Sequence, residues 1–211
     1  SSKNTNGFKC TWTVGGANTN EQFDGIINDW SCSGSGYTGT VNIVKVGSGD
    51  WRLTGKNTYK GTTTINGGKL IVNGTNSGTG AVTVASGATL AGKGSIAGKV
   101  TVQSCGTVYA GDTLITGANA LAPATLVLNS GSITAIPVSF TGGVAKANRL
   151  VMASTTISSG ATLSIELTAD SEPLTDGASI QVFSPKSATA ISGTYSEILP
   201  AVPAEGMMWD T

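Results

Sequence analysis

The chain has 211 residues, and its twelve basic and twelve acidic side chains cancel, which excludes a charged field that would draw in nucleic acid or an anionic membrane. It contains no histidine, which removes Ser-His-Asp and Cys-His catalysis and the commonest metal ligand. Thirty glycines with only 6% aromatic residues leave a core of Val, Ile, Leu, Ala and Thr between frequent tight turns.

The first 40 residues read as an irregular N-terminal cap with the first coils. They hold Trp12, Trp30, Cys10 and Cys32. A Cys10–Cys32 disulfide would suit an oxidising compartment, but with Cys105 the cysteines number three, so one thiol stays free.

From 41 to 111 the sequence repeats. Trp51, Leu70, Leu90 and Val108 follow one another at intervals of 19, 20 and 18 residues, and Ile65, Val84 and Val102 at 19 and 18. The turns Asn66-Gly67-Gly68, Ala85-Ser86-Gly87 and Ser104-Cys105-Gly106 separate the two columns. Val82 and Val84 alternate with Thr83, and Val100 and Val102 with Thr101, the period-2 pattern of half-buried strands. Leu53, Val72, Gly92 and Ala110 should face the same way as the first column. Between 112 and 211 the coils loosen. Residues 118–124, with Pro123, read as an inserted loop; strands resume at 125–133 and at 159–167, where Ser-Gly-Ala-Thr-Leu repeats residues 86–90. Residues 170–177, with Pro173, form another loop, followed by strands at 179–183 and 193–198.

A unit of about 19 residues cannot bury an apolar face alone, and stacking copies buries it continuously. An antiparallel sandwich would also show short strands and regular turns, but nothing in it would repeat its turns at this period. The expected fold is therefore all-β, a parallel β-helix (β-solenoid), over 1–211 as one continuous domain. Eight to ten coils would extend roughly 40–50 Å. No run of 18 apolar residues occurs, so no helical membrane span is expected, and the start is no signal peptide; the chain reads as a piece of a longer precursor.

Lys45, Gly47, Gly49, Trp51, Leu53, Gly55, Asn57-Thr58-Tyr59, Gly61, Ile65, Gly67-Gly68 and Leu70 together resemble the autotransporter passenger-associated repeat. Phe23-Asp24-Gly25-Ile26-Ile27 is similar to the coil that precedes this repeat in that family, and Gly193–Pro200 through Met208-Trp209-Asp210-Thr211 is similar to its closing segment. The resemblance implies a single-stranded right-handed parallel β-helix, exported across the envelope as a stalk or scaffold, adhesin-like, secreted or at the cell surface in association with the outer membrane. Its implied partner is the rest of the same precursor polypeptide. The chain lacks the family's translocator barrel.

For function, the bland reading is a non-catalytic structural and display module without cofactor or metal. A polysaccharide lyase would need carboxylates stacked in neighbouring coils, whereas the column after Asp50 continues Lys69, Thr89, Thr107, with at most a surface ion pair at its start. Glu166 and Asp170 are the one carboxylate pair suggestive of a glycosidase. The other alternative is carbohydrate binding through exposed aromatic rings, with an extracellular glycan or host surface as partner. Trp51 and Tyr59 read as core; Tyr37 and Tyr109 are further candidates. Trp12 and Trp30 are the tentative glycan contacts, against the plainer reading of an aromatic lid over the solenoid end. Asn73-Gly74-Thr75 fits a glycosylation sequon.

Overall fold

The computed structural model describes residues 7–31, 38–112, 119–168, 171–173, 175, 177, 179–184 and 191–200. Every regular element among them is a strand. In chain order these are β1 (Phe8–Val14), β2 (Glu21–Phe23), β3 (Trp30–Ser31), β4 (Thr38–Lys45), β5 (Asp50–Leu53), β6 (Lys56–Asn57) and β7 (Thr63–Ile65). Then come β8 (Lys69–Val72), β9 (Thr75–Asn76), β10 (Val82–Val84), β11 (Thr89–Ala91), β12 (Ser95–Val102), β13 (Thr107–Tyr109) and β14 (Ala120–Leu128). The last are β15 (Ile133–Thr141), β16 (Val144–Ala147), β17 (Arg149–Leu150), β18 (Ser154–Ile157), β19 (Thr162–Leu167), β20 (Ile191–Ser192) and β21 (Glu197–Leu199).

One sheet runs β1-β4-β7-β10-β12-β14-β18-β20 and the other β2-β5-β8-β11-β13-β15-β19-β21. Each path has eight strands, paired in parallel, and the chain alternates between the two. The described residues therefore form a parallel β-helix of eight coils, whose end strands lie ~34 Å apart at seven spacings of ~4.8 Å. A narrow third face joins the sheets where β6, β9 and the start of β12 pair in turn.

Both sequence columns hold in register. Trp51 lies on Leu70, Leu70 on Leu90 and Leu90 on Val108; Ile65 lies on Val84 and Val84 on Val102. The columns continue through Thr134 and Leu163 on one side and through Leu128 and Ile157 on the other. These inward positions are almost fully buried, since successive side chains on a strand point to opposite faces. At the far end Tyr195 donates to Thr134 Oγ1 at 2.9 Å and stacks on Phe183 with ring centroids 6.2 Å apart.

The corner between the sheets is a β-turn. Ala88, Gly106, Ser132 and Ala161 each donate to the carbonyl three residues earlier, and the third turn position has positive φ: Gly87 at 73°, Cys105 at 58°, Gly131 at 74° and Gly160 at 91°. This is the type II signature, which normally requires glycine there. The equivalent of Gly87 is thus Cys105, not Gly106, which corrects the sequence alignment of this turn by one residue. Elsewhere glycine sits on glycine because the backbones touch: a Cβ on Gly74 would lie 2.1 Å from the Gly55 carbonyl oxygen, and one on Gly94 1.9 Å from that of Gly74.

Three expectations of chain path are corrected. Residues 120–124 are not a loop but the start of β14, with Pro123 opposite Ile96. Val151 donates to the Leu121 carbonyl while Ala122 donates back to Gly94. Alternation therefore points the Pro123 nitrogen at the corner between β17 and β18, where no ladder hydrogen bond is required. Residues 179–183 hold only an isolated bridge, Phe183 to Leu150. The span 193–198 divides into a corner and the start of β21, after β20 at 191–192. Unforeseen was the antiparallel hairpin of β15 and β16. Its two-residue turn is Gly142-Gly143, with φ of 60° and 77°, a sequence signal for a type I′ hairpin.

Candidate functional site

The residues that make the 45–70 segment distinctive are structural. Lys45 continues the inward column above Ile65, yet its ammonium turns into the corner and donates to the carbonyls of Val46 (2.7 Å), Gly47 (3.2 Å) and Gly67 (3.2 Å). Burial lowers its pKa below the ordinary lysine value, partly opposed by the Asp50 carboxylate. Asn57 is buried and accepts the Ile27 N–H of the preceding coil at 2.9 Å. Tyr59 fills the core, shares a 2.7 Å hydrogen bond with Thr63 Oγ1, and has its phenol pKa raised by that burial.

Arg52 and Asp112 form a bidentate pair, Nε to Oδ2 at 3.0 Å and Nη2 to Oδ1 at 3.1 Å. The hydrogen bonds that Arg52 donates to Asp112 raise its pKa above its already high value. Asn73 donates to the same carboxylate and its Oδ1 accepts the Lys93 N–H. The sequon asparagine is therefore an internal clamp, tying the chain after β13 to the outer face of the second sheet.

The structure brings Trp12 and Trp30 together. Both line a cleft of ≈570 Å³ at the β1 end, with Phe8, Asn28 and Asp29. The indoles are 41% and 51% exposed. Trp12 belongs to the inward column, over Ile43, so it is itself the end of the core. Asp29 is occupied by the backbone N–H groups of Val41 and Lys60. Cys10 and Cys105 are exposed free thiols; Cys32, the partner offered to Cys10, lies outside the described residues, as do Tyr37, Asp170 and the tail from 201.

A second, larger depression of ≈590 Å³ lies on the outer face of the second sheet. One column of its floor is Lys69, Thr89, Thr107, Ile133, Thr162 and Glu197, in register. Beside it run Tyr109, Ala135, Ser164 and Leu199, and next to those Glu166. Lys69 does not close on its register neighbour Asp50; among the described residues the ion pair is Arg52–Asp112. Instead Lys69 Nζ sits 5.7 Å from the Tyr109 ring centroid. Burial raises the Glu166 pKa, with Lys69 opposing, and burial followed by the Glu166 charge raises that of Tyr109. Sequence reasoning joined Lys69, Thr89 and Thr107 in one column but did not carry it on to Thr162 or set Tyr109 and Glu166 beside it. The register beyond Val108 was needed, and the lengthened coil at 112–132 obscured it.

Among the described residues no three carboxylate or cysteine side chains are grouped to hold a metal ion, and none lies in a helix long and apolar enough to cross a membrane. The fold and these sites define a parallel β-solenoid whose distinctive residues serve stacking. Residues 43–72 match the family model of the passenger-associated-transport-repeat. That match coincides with β5, β6, β7 and β8 and the end of β4, and it falls on the residues that carry the sequence resemblance to the passenger repeat. No curated protein compared with the chain matches it.

Proposed function

We propose that the chain is a non-catalytic scaffold, a stalk that displays other parts of its precursor outside the cell, in a secreted or outer-membrane-associated, adhesin-like protein. The observation that carries this reading is the pair of buried columns, apolar from Ile65 through Ile157 on one sheet and from Trp51 through Val108 on the other, supported by the passenger repeat at 43–72. A stack whose coils contact only their neighbours extends without a separate core for each unit. The residues of the repeat are spent on corner carbonyls and inter-coil clamps rather than on a reacting group. At the β1 end, the inward residues Trp12 and Val14 and the terminal strand of the first sheet suit a further coil of the same polypeptide, because strand edges and half-covered apolar columns accept another strand.

The test is display. A protease-sensitive reporter fused ahead of the chain, with a translocator behind it, should reach the cell surface with the intact solenoid. Val84→Asp should cut the externally cleavable reporter roughly fivefold or more, through loss of the folded stack. Equal display with either form would refute the scaffold role, as would turnover of any polysaccharide by the purified chain.

The cleft supports a second reading, in which Trp12 and Trp30 contact a glycan through their exposed rings. Retention on a polysaccharide gel that Trp30→Ala abolishes would establish it. Equal retention by the variant would remove it.

A further inference from the structure

We propose that the outer face of the second sheet is a binding groove for an extended, uncharged oligosaccharide, lying along the solenoid axis between Lys69 and Glu197. The depression on this face spans five coil spacings between those residues, ~24 Å. Its long direction follows the column of register rather than the strands. A sugar chain laid along it would meet a new set of side chains about once per ring.

The chemistry of the lining selects the ligand. The hydroxyls of Thr89, Thr107, Thr162 and Ser164 are half-buried in the depression, and no side-chain hydrogen bond within the described protein engages them. Each can donate and accept, as a sugar hydroxyl can. Tyr109 supplies one aromatic face in the middle of the groove, with an apolar body and a polar tip. Over that ring sits a cationic donor, Lys69, and beside it stands an acceptor, Glu166, whose carboxyl feels the Lys69 charge.

Charge decides between classes of glycan. Two carboxylates, Glu166 and Glu197, face one ammonium within the groove, and the chain as a whole carries no net charge. A polyanion would meet carboxylates without a compensating field, and a polycation would meet Lys69 at the ring. A neutral polyhydroxylated chain uses donors and acceptors of both signs. The Arg52–Asp112 clamp, with Asn73, ties the chain after β13 to the coil before Lys69 and to the end of Lys69's own strand.

The experiment is calorimetric titration of the intact chain with cellohexaose, maltohexaose and mannohexaose, with hexagalacturonate and a chitosan hexamer as charged arms. At least one neutral hexaose should bind in the range of ~0.1–1 mM. Tyr109→Ala should weaken it about tenfold, and Thr107→Val with Thr162→Val about fivefold, each loss corresponding to one or two net hydrogen bonds or one ring contact. Tyr109→Phe should hold affinity within about threefold, which controls for folding, since the ring is retained. Trp30→Ala should leave binding unchanged, which separates this groove from the cleft at the β1 end. Absence of binding by all three neutral hexaoses at ~10 mM would overturn the proposal. So would tighter binding of either charged hexamer, or an affinity indifferent to Tyr109→Ala and to the paired threonine variants.

Discussion

Two neighbouring substitutions on β10 should behave oppositely. Val84 is 0% exposed and sits between Ile65 and Val102; Thr83 is half-buried on the outer face, between Thr64 and Thr101. Replacing Val84 with Asp forfeits about 2 kcal/mol of apolar burial and leaves a cavity. It also inserts a carboxyl without a partner, which costs at least about 2 kcal/mol more even when protonated. The sum is on the order of 5 kcal/mol, comparable with the whole stability of a marginal domain. Because coils interact with nearest neighbours, the damage should begin in the middle of the stack. Thr83→Asp carries the same low strand propensity but keeps its charge in water, so its cost should stay within about 1 kcal/mol. In thermal melts followed by circular dichroism, Val84→Asp should lower Tm by more than ~10 °C and Thr83→Asp by no more than ~4 °C. If the two variants melt together, the assignment of inward and outward faces is wrong.

Arg52→Ala should lower stability by about 3 kcal/mol, read from the urea midpoint, because it takes the bidentate guanidinium from the buried Asp112 carboxylate; an unchanged midpoint would show the clamp to be idle. Cys105→Gly should stabilise by up to ~1 kcal/mol in the same assay, since it relieves the 58° φ of a non-glycine residue while the freer unfolded chain takes back part of the gain. A destabilised variant would mean that the cysteine side chain contributes packing at the corner. Glu166→Gln concerns pH: burial raises the folded-state pKa above 4.5, so the native state holds more protons between 4.5 and that raised value. Wild-type stability falls as pH rises through this window. The variant should therefore melt slightly higher at pH 7 and coincide with the wild type near pH 4; a lower melting point at pH 7 would contradict it.

The sequence revealed the coil register because a β-helix places like on like. Trp51, Leu70, Leu90 and Val108 are spaced by one coil, and the corner glycines mark where each strand ends. It misled where length or chemistry departed from the period. Pro123 looked like a breaker, yet at a strand position facing a corner its missing N–H costs nothing. Cys105 hid a left-handed turn residue behind a side chain that rarely takes that conformation. The Gly142-Gly143 hairpin was readable by its turn residues, but it stood outside the repeat that organised the rest. For the sites, exposed indoles at Trp12 and Trp30 could be picked out by residue type. Whether they shared a cleft depended on β1 being the terminal strand. The groove was invisible for a different reason: threonine and serine carry no functional signature until the register lines them up beside Tyr109 and Glu166.

Spin labels along one outward column would test the stacked solenoid directly. Thr13, Val44, Thr64, Thr83, Thr101, Val127, Thr156 and Ser192 succeed one another in register on the outer face of the first sheet. In a background freed of the native cysteines, electron–electron distances from a label at Thr64 should reach ~19 Å at Thr156 and ~24 Å at Ser192, growing by ~4.8 Å per coil beyond the label linkers. A Thr13–Ser192 pair should give ~34 Å by the same spacing. Distances that fail to rise in that order, or that place Thr64 and Ser192 nearer than Thr64 and Thr156, would contradict the eight-coil stack.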